Sequence, residues 1–336
     1  MSSKRRAIVV AGLLLATVAT GSGPSSAAVE PNSADRNVSS WAIGKFGFFP
    51  HQVVVVRDGE VVASAASAPG GLEVPRRLAS ISKTITAVAV FRLVEAGRLS
   101  LDTRAIDVLP ELFVGAQESW SELTVDDLLT HRSGLPKNTD QWFSEEWDSC
   151  KEAVTDRLAS IRRSDRPSYL YSNTNYCMLS LIVAAVTKKP YAAAVRSLVL
   201  APLGIENWRI DVKYLRLLGA GAWQLSPLDV ARLFCTIDPG SPRGEFCADG
   251  FLSEASRRSI VDPTSVDYGR GILHWNSGVW GHSGTLDETR TLAAHLPSGE
   301  VVVLMTQYPL ATDPPVDSGS DLVPWALELA EVVDRP

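Results

Sequence analysis

Two short stretches of this 336-residue chain hold residue types able to do acyl chemistry together. The first is "ASISKT", where Ser80 and Lys83 stand three apart at the opening of a helical pattern. That spacing puts both side chains on one helix face, about 4.5 Å apart along the axis. A serine hydroxyl needs a base before it can attack a carbonyl at neutral pH. A lysine becomes that base when burial lowers its pKa. A helix N-terminus would add amide donors for an oxyanion and would oppose an ammonium. Ser82 is the rival serine, but it is adjacent to Lys83 and points to a different face. The second stretch, "YLYSNTNY", places Tyr171, Ser172 and Asn173 just ahead of an apolar helix. A tyrosine near an ammonium ionises more readily and can shuttle protons, which gives Tyr171 a catalytic part. The Asn173 amide can hold a substrate carbonyl or orient the lysine. The plainer reading is a packed tyrosine with a helix cap at Ser172 or Asn173.

A third stretch, "VWGHSGT", raises a rival nucleophile, Ser283. A nucleophile elbow of the form G-x-S-x-G needs a glycine two residues after the serine, and Thr285 stands there. It also needs a following helix, whereas "TLDETRTLAAHLPSGEVVVLMT" reads as two strands joined by a Pro-Ser-Gly turn. The stretch is therefore expected to be the wall of a site. On an edge strand, Gly284 would let a substrate backbone approach. The amide of Thr285 would be the second oxyanion donor beside that of Ser80. His282 would bind a substrate carboxylate or a polar leaving group; its plainer reading is a hydrogen-bonded structural histidine.

Elements at both ends of the chain must bring these residues together. "QVVVVRDGEVVASAA" reads as a hairpin turning at Asp58-Gly59. Strands are expected near 270–275, 278–282, 289–296 and 300–308, and a final amphipathic helix near 320–333. Between them lie helical patterns, including "SISKTITAVAVFRLVEAG", "NTNYCMLSLIVAAVTKKP" and "SPLDVARLFCTI". Residues 29–40 read as polar and mobile, and "ADRNVSSWAIGKFGFFP" as a weak helix at most. Short turns between sequential strands predict antiparallel pairing. The expected class is α+β: an antiparallel sheet flanked by helices, with an inserted, mostly helical domain. The sheet domain would take 41–110 and 209–336, and the helical domain 111–208. A cleft between them is the natural ligand site.

The N-terminus has a basic start, "MSSKRR", an apolar run, "AIVVAGLLLATVAT", and small residues after it. That is the pattern of a secretory signal peptide over residues 1–28, cleaved after Ala27 or Ala28. The run is too short for a comfortable membrane span, so no stable membrane insertion is expected. Four cysteines follow, Cys150, Cys177, Cys235 and Cys247, and suit two disulfides in an oxidising compartment. Three pairings are possible, of which the simplest joins sequence neighbours. Neither cysteine nor histidine spacing suggests a metal site. A net charge of −6 gives no reason to expect a nucleic-acid partner. A secreted monomer acting on a small-molecule or peptide substrate, with no cofactor, is the expectation.

The order Ser-x-x-Lys, Tyr-Ser-Asn about 90 residues on and His-Ser-Gly about 110 further resembles the penicillin-recognising serine hydrolases. In particular the chain resembles the class C β-lactamase, D-alanyl-D-alanine carboxypeptidase and esterase group. "LASISKTITAVAVFRLVEAGRLSLD", "LTVDDLLTHRSGLP", "YSNTNYCMLSLIVAAVTKKPY", "LAPLGI" and "SPLDVARLF" extend the likeness over residues 50–308. The resemblance implies a β-lactamase/transpeptidase-like fold. It also implies that Ser80 is acylated, that Lys83 and Tyr171 handle its proton and that Asn173 contacts substrate. His282-Ser283-Gly284 stands where many members carry Lys-Thr-Gly. The missing ammonium argues against efficient β-lactam hydrolysis. D-alanyl peptide hydrolysis or transfer is the first expected activity, esterase action on small acyl esters the second and β-lactamase activity the third. The alternatives are a non-catalytic penicillin or peptide sensor of the same fold, or a lipase using Ser283.

Overall fold

The valines of "QVVVVR" alternate between two cores. In a computed structural model this run is β1 (His51–Arg57). Val53 and Val55 face one cluster with Trp41, Phe46 and Leu329. Val54 and Val56 face the other with Ile81, Ile85 and Val303. Successive strand residues point to opposite faces, so a run of four valines needs a sheet covered on both sides. Each fully buried valine contributes about 1.5–3 kcal/mol by leaving water. The structure describes residues 32–137, 147–164, 168–240, 244, 246–265, 267–307 and 316–335. The expected signal peptide lies outside them.

The sheet contains β1, β2 (Glu60–Ala66), β3 (Leu273–His274), β4 (Trp280–Leu286), β5 (Thr289–His295) and β6 (Val301–Thr306). Their order is β2-β1-β6-β5-β4-β3, and every neighbouring pair is antiparallel. The first hairpin thus joins the C-terminal strands through the β1–β6 pairing, as the α+β reading expects. "VWGHSGT" was expected on an edge strand; instead β4 lies inside the sheet, between β5 and β3. The pairing with β3 involves only Trp280 and Gly281.

One face of the sheet is covered by α1 (Ser33–Phe46) and the C-terminal helix Val323–Val333. Residues 33–40 therefore form ordered helix rather than mobile chain. Asn32 caps it by accepting the Asp35 N–H at 2.7 Å. Val38, Trp41, Ala42 and Phe46 give it a buried stripe at helical spacing. The other face carries α2 (Ser82–Glu95), buried along nearly its whole length. That larger core runs from Val54 and Val303 in the sheet to Leu128 and Leu179 in the helical region. Residues 32–336 group as one compact unit. The disulfides join Cys150 to Cys177 and Cys235 to Cys247, the neighbour pairing. The first ties α3 (Cys150–Ser160) to α4 (Asn173–Thr187), whose first residue is Asn173.

Candidate active site

The turn that carries Ser80 is built by backbone, one residue ahead of where a simple helix start would put it. Ala79–Ile81 form a single 3-10 turn and the α-helix proper begins at Ser82. Ala79 sits at φ +48°, the left-handed region that costs a non-glycine residue about 1–2 kcal/mol. Neighbouring chain holds it there. The Leu78 N–H donates to the Trp223 carbonyl at 2.9 Å. The Thr291 hydroxyl donates to the Leu78 carbonyl at 2.9 Å. Strain held by surrounding structure is a common property of functional sites.

Lys83 Nζ lies 3.0 Å from Ser80 Oγ, 2.8 Å from Asn173 Oδ1 and 2.8 Å from the Ala220 carbonyl oxygen. The side chain is fully buried, and loss of solvation holds its pKa well below the ordinary lysine value. A neutral amine has two N–H donors and one lone pair. The Asn173 oxygen and the Ala220 carbonyl only accept, so they take both donors. The lone pair is left for the Ser80 hydroxyl, which then donates. This is the geometry of a general base beside its nucleophile.

Tyr171 hydrogen-bonds Ser80 through its hydroxyl, and its ring centre is 4.9 Å from Lys83 Nζ. Its charge state differs from the sequence expectation. Burial raises the Tyr171 pKa, and the Ser80 hydrogen bond only partly opposes this. Tyr171 is a phenol, not a phenolate, because no ammonium stands beside it once Lys83 is neutral. It can donate a proton but does not compete as the base.

The glycine strand also departs from expectation. His282 is fully buried. Its Nδ1–H donates to the Ser283 carbonyl at 2.7 Å, and Nε2 faces the Tyr268 hydroxyl at 3.3 Å. Burial, with a smaller part from Lys83 when that residue is protonated, lowers its pKa to about 3. His282 is thus a neutral structural histidine and offers no charge to a substrate carboxylate. At Gly284 the close approach is by protein, not substrate. A Cβ there would collide with the Leu78 carbonyl and Thr291 Oγ1, and would lie 2.9 Å from Ala79 Cβ. Gly319 presses on the same residue: a Cβ on Gly319 would strike the Gly284 backbone. The strand and the nucleophile turn meet at a position only glycine can occupy.

Thr285 does face the site. It lines a cavity of about 40 Å³ with Ala79, Ser80, Asn173, Ala220 and Leu286. Its Oγ1 accepts the Gly319 N–H at 2.9 Å. The rival serines have other occupations. Ser82 Oγ accepts the Trp223 N–H at 3.1 Å, and Ser283 Oγ pairs with Ser320 Oγ at 2.8 Å. Neither meets a base.

The profile of the Beta-lactamase family matches residues 51–317, well over half of the chain. The chain belongs to the Beta-lactamase family. Among its relatives, Penicillin-binding protein 4 of Amycolatopsis lactamdurans is 33% identical over 130 residues, 38% of this chain and 34% of that protein. Esterase EstB of Burkholderia gladioli is 33% identical over 183 residues, 46% of this chain and 45% of that one. The matches thus span between a third and a half of these relatives. The D-amino acid amidase of Ochrobactrum anthropi SV3 has the same fold, with a TM-score of 0.70 at 18% identity over 90% of this chain and 97% of that one. The octameric penicillin-binding protein homologue of Pyrococcus abyssi gives 0.67 at 20% identity over 89% and 76%. The fold is β-lactamase/transpeptidase-like, and the family is one of serine hydrolases with esterase, amidase and penicillin-binding relatives.

Sequence reasoning passed over three parts of the site: Ala220, which supplies an acceptor to Lys83, Tyr268, which backs His282, and His131. The first acts through its backbone and has no side-chain signal. Tyr268 comes from a loop with no recognisable spacing to Ser80, and His131 lies in "LTVDDLLTHRSGLP", a stretch that carried the family likeness but no site residue.

Proposed function

We propose that this protein is an exported serine hydrolase that works through an acyl-enzyme on Ser80, with D-alanyl peptides as the first donor class. One observation carries the reading: a desolvated Lys83, both of its N–H donors engaged, directs its lone pair at Ser80 Oγ. Ser80 attacks the donor carbonyl and its proton passes to Lys83. The backbone amides of Ser80 and Thr285 stabilise the oxyanion. The Tyr171 phenol protonates the leaving nitrogen or oxygen, and the Lys83 ammonium resupplies it. Water or another acceptor then takes the acyl group and restores the serine. Asn173 holds the amine in place while its position on the cavity wall brings it to the donor. Export is supported by the signal-like N-terminus and by two disulfides, which persist in oxidising compartments.

Esterase action on small acyl esters is the second reading. It is favoured by the neutral, buried His282, since this strand offers no cation to a donor's carboxylate. The test is to treat the protein with a fluorescent penicillin and a fluorophosphonate and to map the adduct by peptide mass. Label on Ser80 with turnover is expected. Label on Ser80 that never deacylates would indicate a sensor, and label on Ser283 would overturn the assignment.

A further inference from the structure

We infer that His131 is a positioning residue, a two-pronged clamp that sets Tyr171 against Ser80 through one fixed tautomer of its ring. The inference rests on the reading of Ser80 as nucleophile. His131 is fully buried, outside all three motifs, and at φ +56°. Its carbonyl accepts the Leu170 N–H at 2.8 Å. Its Nδ1 accepts the Ser172 N–H at 3.2 Å. The residues on either side of Tyr171 are thus tied to one residue. The imidazole also packs on the Tyr171 ring, with centres 4.4 Å apart.

One contact fixes the tautomer and a second agrees with it. A backbone N–H can only donate, so Nδ1 facing Ser172 must carry a lone pair. The second contact is Asn175, whose Nδ2 lies 2.7 Å from the same Nδ1. Ser133 Oγ accepts the Leu135 N–H at 3.0 Å and donates to Asn175 Oδ1 at 2.6 Å. With the Ser133 proton on Asn175 Oδ1, the amide nitrogen of Asn175 faces His131 as a donor, which agrees with the lone pair on Nδ1 that the Ser172 N–H requires. The proton of the neutral imidazole is therefore on Nε2. That atom is buried and has no hydrogen-bond partner among the described residues; it lies among the rings of Tyr171, Tyr176 and Tyr268. An apolar ring would pack there without leaving a buried donor unmatched. What an apolar ring cannot supply is the acceptor at Nδ1.

The test sets the acceptor against the ring. His131→Asn keeps an acceptor near the Nδ1 position and tolerates positive φ, but loses the ring. His131→Phe keeps the ring and loses the acceptor. The rate of Ser80 phosphonylation by a fluorophosphonate is measured for both, with thermal melting alongside. His131→Asn should label within about fivefold of the parent, and His131→Phe should be slower by about a hundredfold. The reverse order, or equal rates, would overturn the inference and leave a packing role. Because folding of either variant is not assured, the unaltered protein is also examined by ¹⁵N NMR of its histidine rings. The His131 signals should report the Nε2–H form at neutral pH; an Nδ1–H form or an imidazolium would overturn the inference. If the parent itself fails to label at Ser80, the proposed function fails, while the tautomer remains decided by NMR.

Discussion

On the proposed mechanism Lys83 acts as the base because it is in the wrong solvent for a charge. Removing it by Lys83→Ala should lower Ser80 acylation by about 10³-fold, within the usual range for loss of a general base. Tyr171→Phe removes a donor, not the base, so a smaller loss of about 10–100-fold is expected in the same burst assay. Ser283→Ala should stay within about threefold of the parent, since that hydroxyl pairs with Ser320. The pH dependence has a definite sign. The proposed mechanism needs Lys83 as the amine, and its pKa lies well below the ordinary lysine value. Acylation should fall on the acid side as pH drops through that lowered pKa. Neither His131 nor His282 should impose a limb near 6.5, because burial pushes both well below it. Of these residues, Ser80, Lys83, Tyr171 and Asn173 were legible as spaced types. The roles of His282 and Gly284 were not, because burial and backbone contact decide them and neither is written in a tripeptide.

At the scale of elements, the site depends on one strand meeting one turn. Gly284 lies between the turn at Ala79 and the chain at Gly319, and a side chain there would meet the Leu78 carbonyl oxygen, Thr291 Oγ1 and Ala79 Cβ. Gly284→Ala should therefore push β4 and the turn at Ala79 apart. A destabilisation of about 1–3 kcal/mol is expected, with Ser80 labelling slowed at least tenfold. A fall in melting temperature without loss of labelling would place the contact in stability alone. The helix α1 shows where sequence reading failed at this scale. Its first turns are polar, and its reason to fold is the stripe from Val38 to Phe46 meeting the sheet face of the following hairpin and the C-terminal helix, which is distant in sequence. α2, by contrast, was legible because its apolar residues run unbroken and Gly97 ends the pattern.

For the whole molecule, the hairpin at one end and the strands at the other were legible as one antiparallel sheet. The β1–β6 pairing and its register were not, because a run of four valines has no preferred face. The Cys150–Cys177 bridge closes a loop of 27 residues and joins α3 to the helix that begins with Asn173. Replacing both cysteines by alanine should lower stability by about 3–4 kcal/mol on the loop-entropy scale, measured by urea unfolding. Folding also hides groups that would rather be charged. The folded pKa of His282 is about 3, so below about 6.5 the unfolded chain takes up a proton that the folded chain refuses. Stability should fall as pH drops from about 6.5 towards 3, and His282→Asn should make that slope shallower. Lys83 adds a slope on the alkaline side, because its folded pKa is lowered. Stability should rise as pH climbs from that lowered value to the ordinary lysine value, about 10.4.

The most direct test is the charge on Lys83 itself. Heteronuclear NMR of the lysine Cε and Nζ, followed against pH in the unmodified protein, reads it without any substrate. One lysine should titrate well below the others and be a neutral amine at the pH where Ser80 labels fastest, and its signal should vanish in Lys83→Ala. A Lys83 signal that remains an ammonium up to about pH 10 would contradict the mechanism.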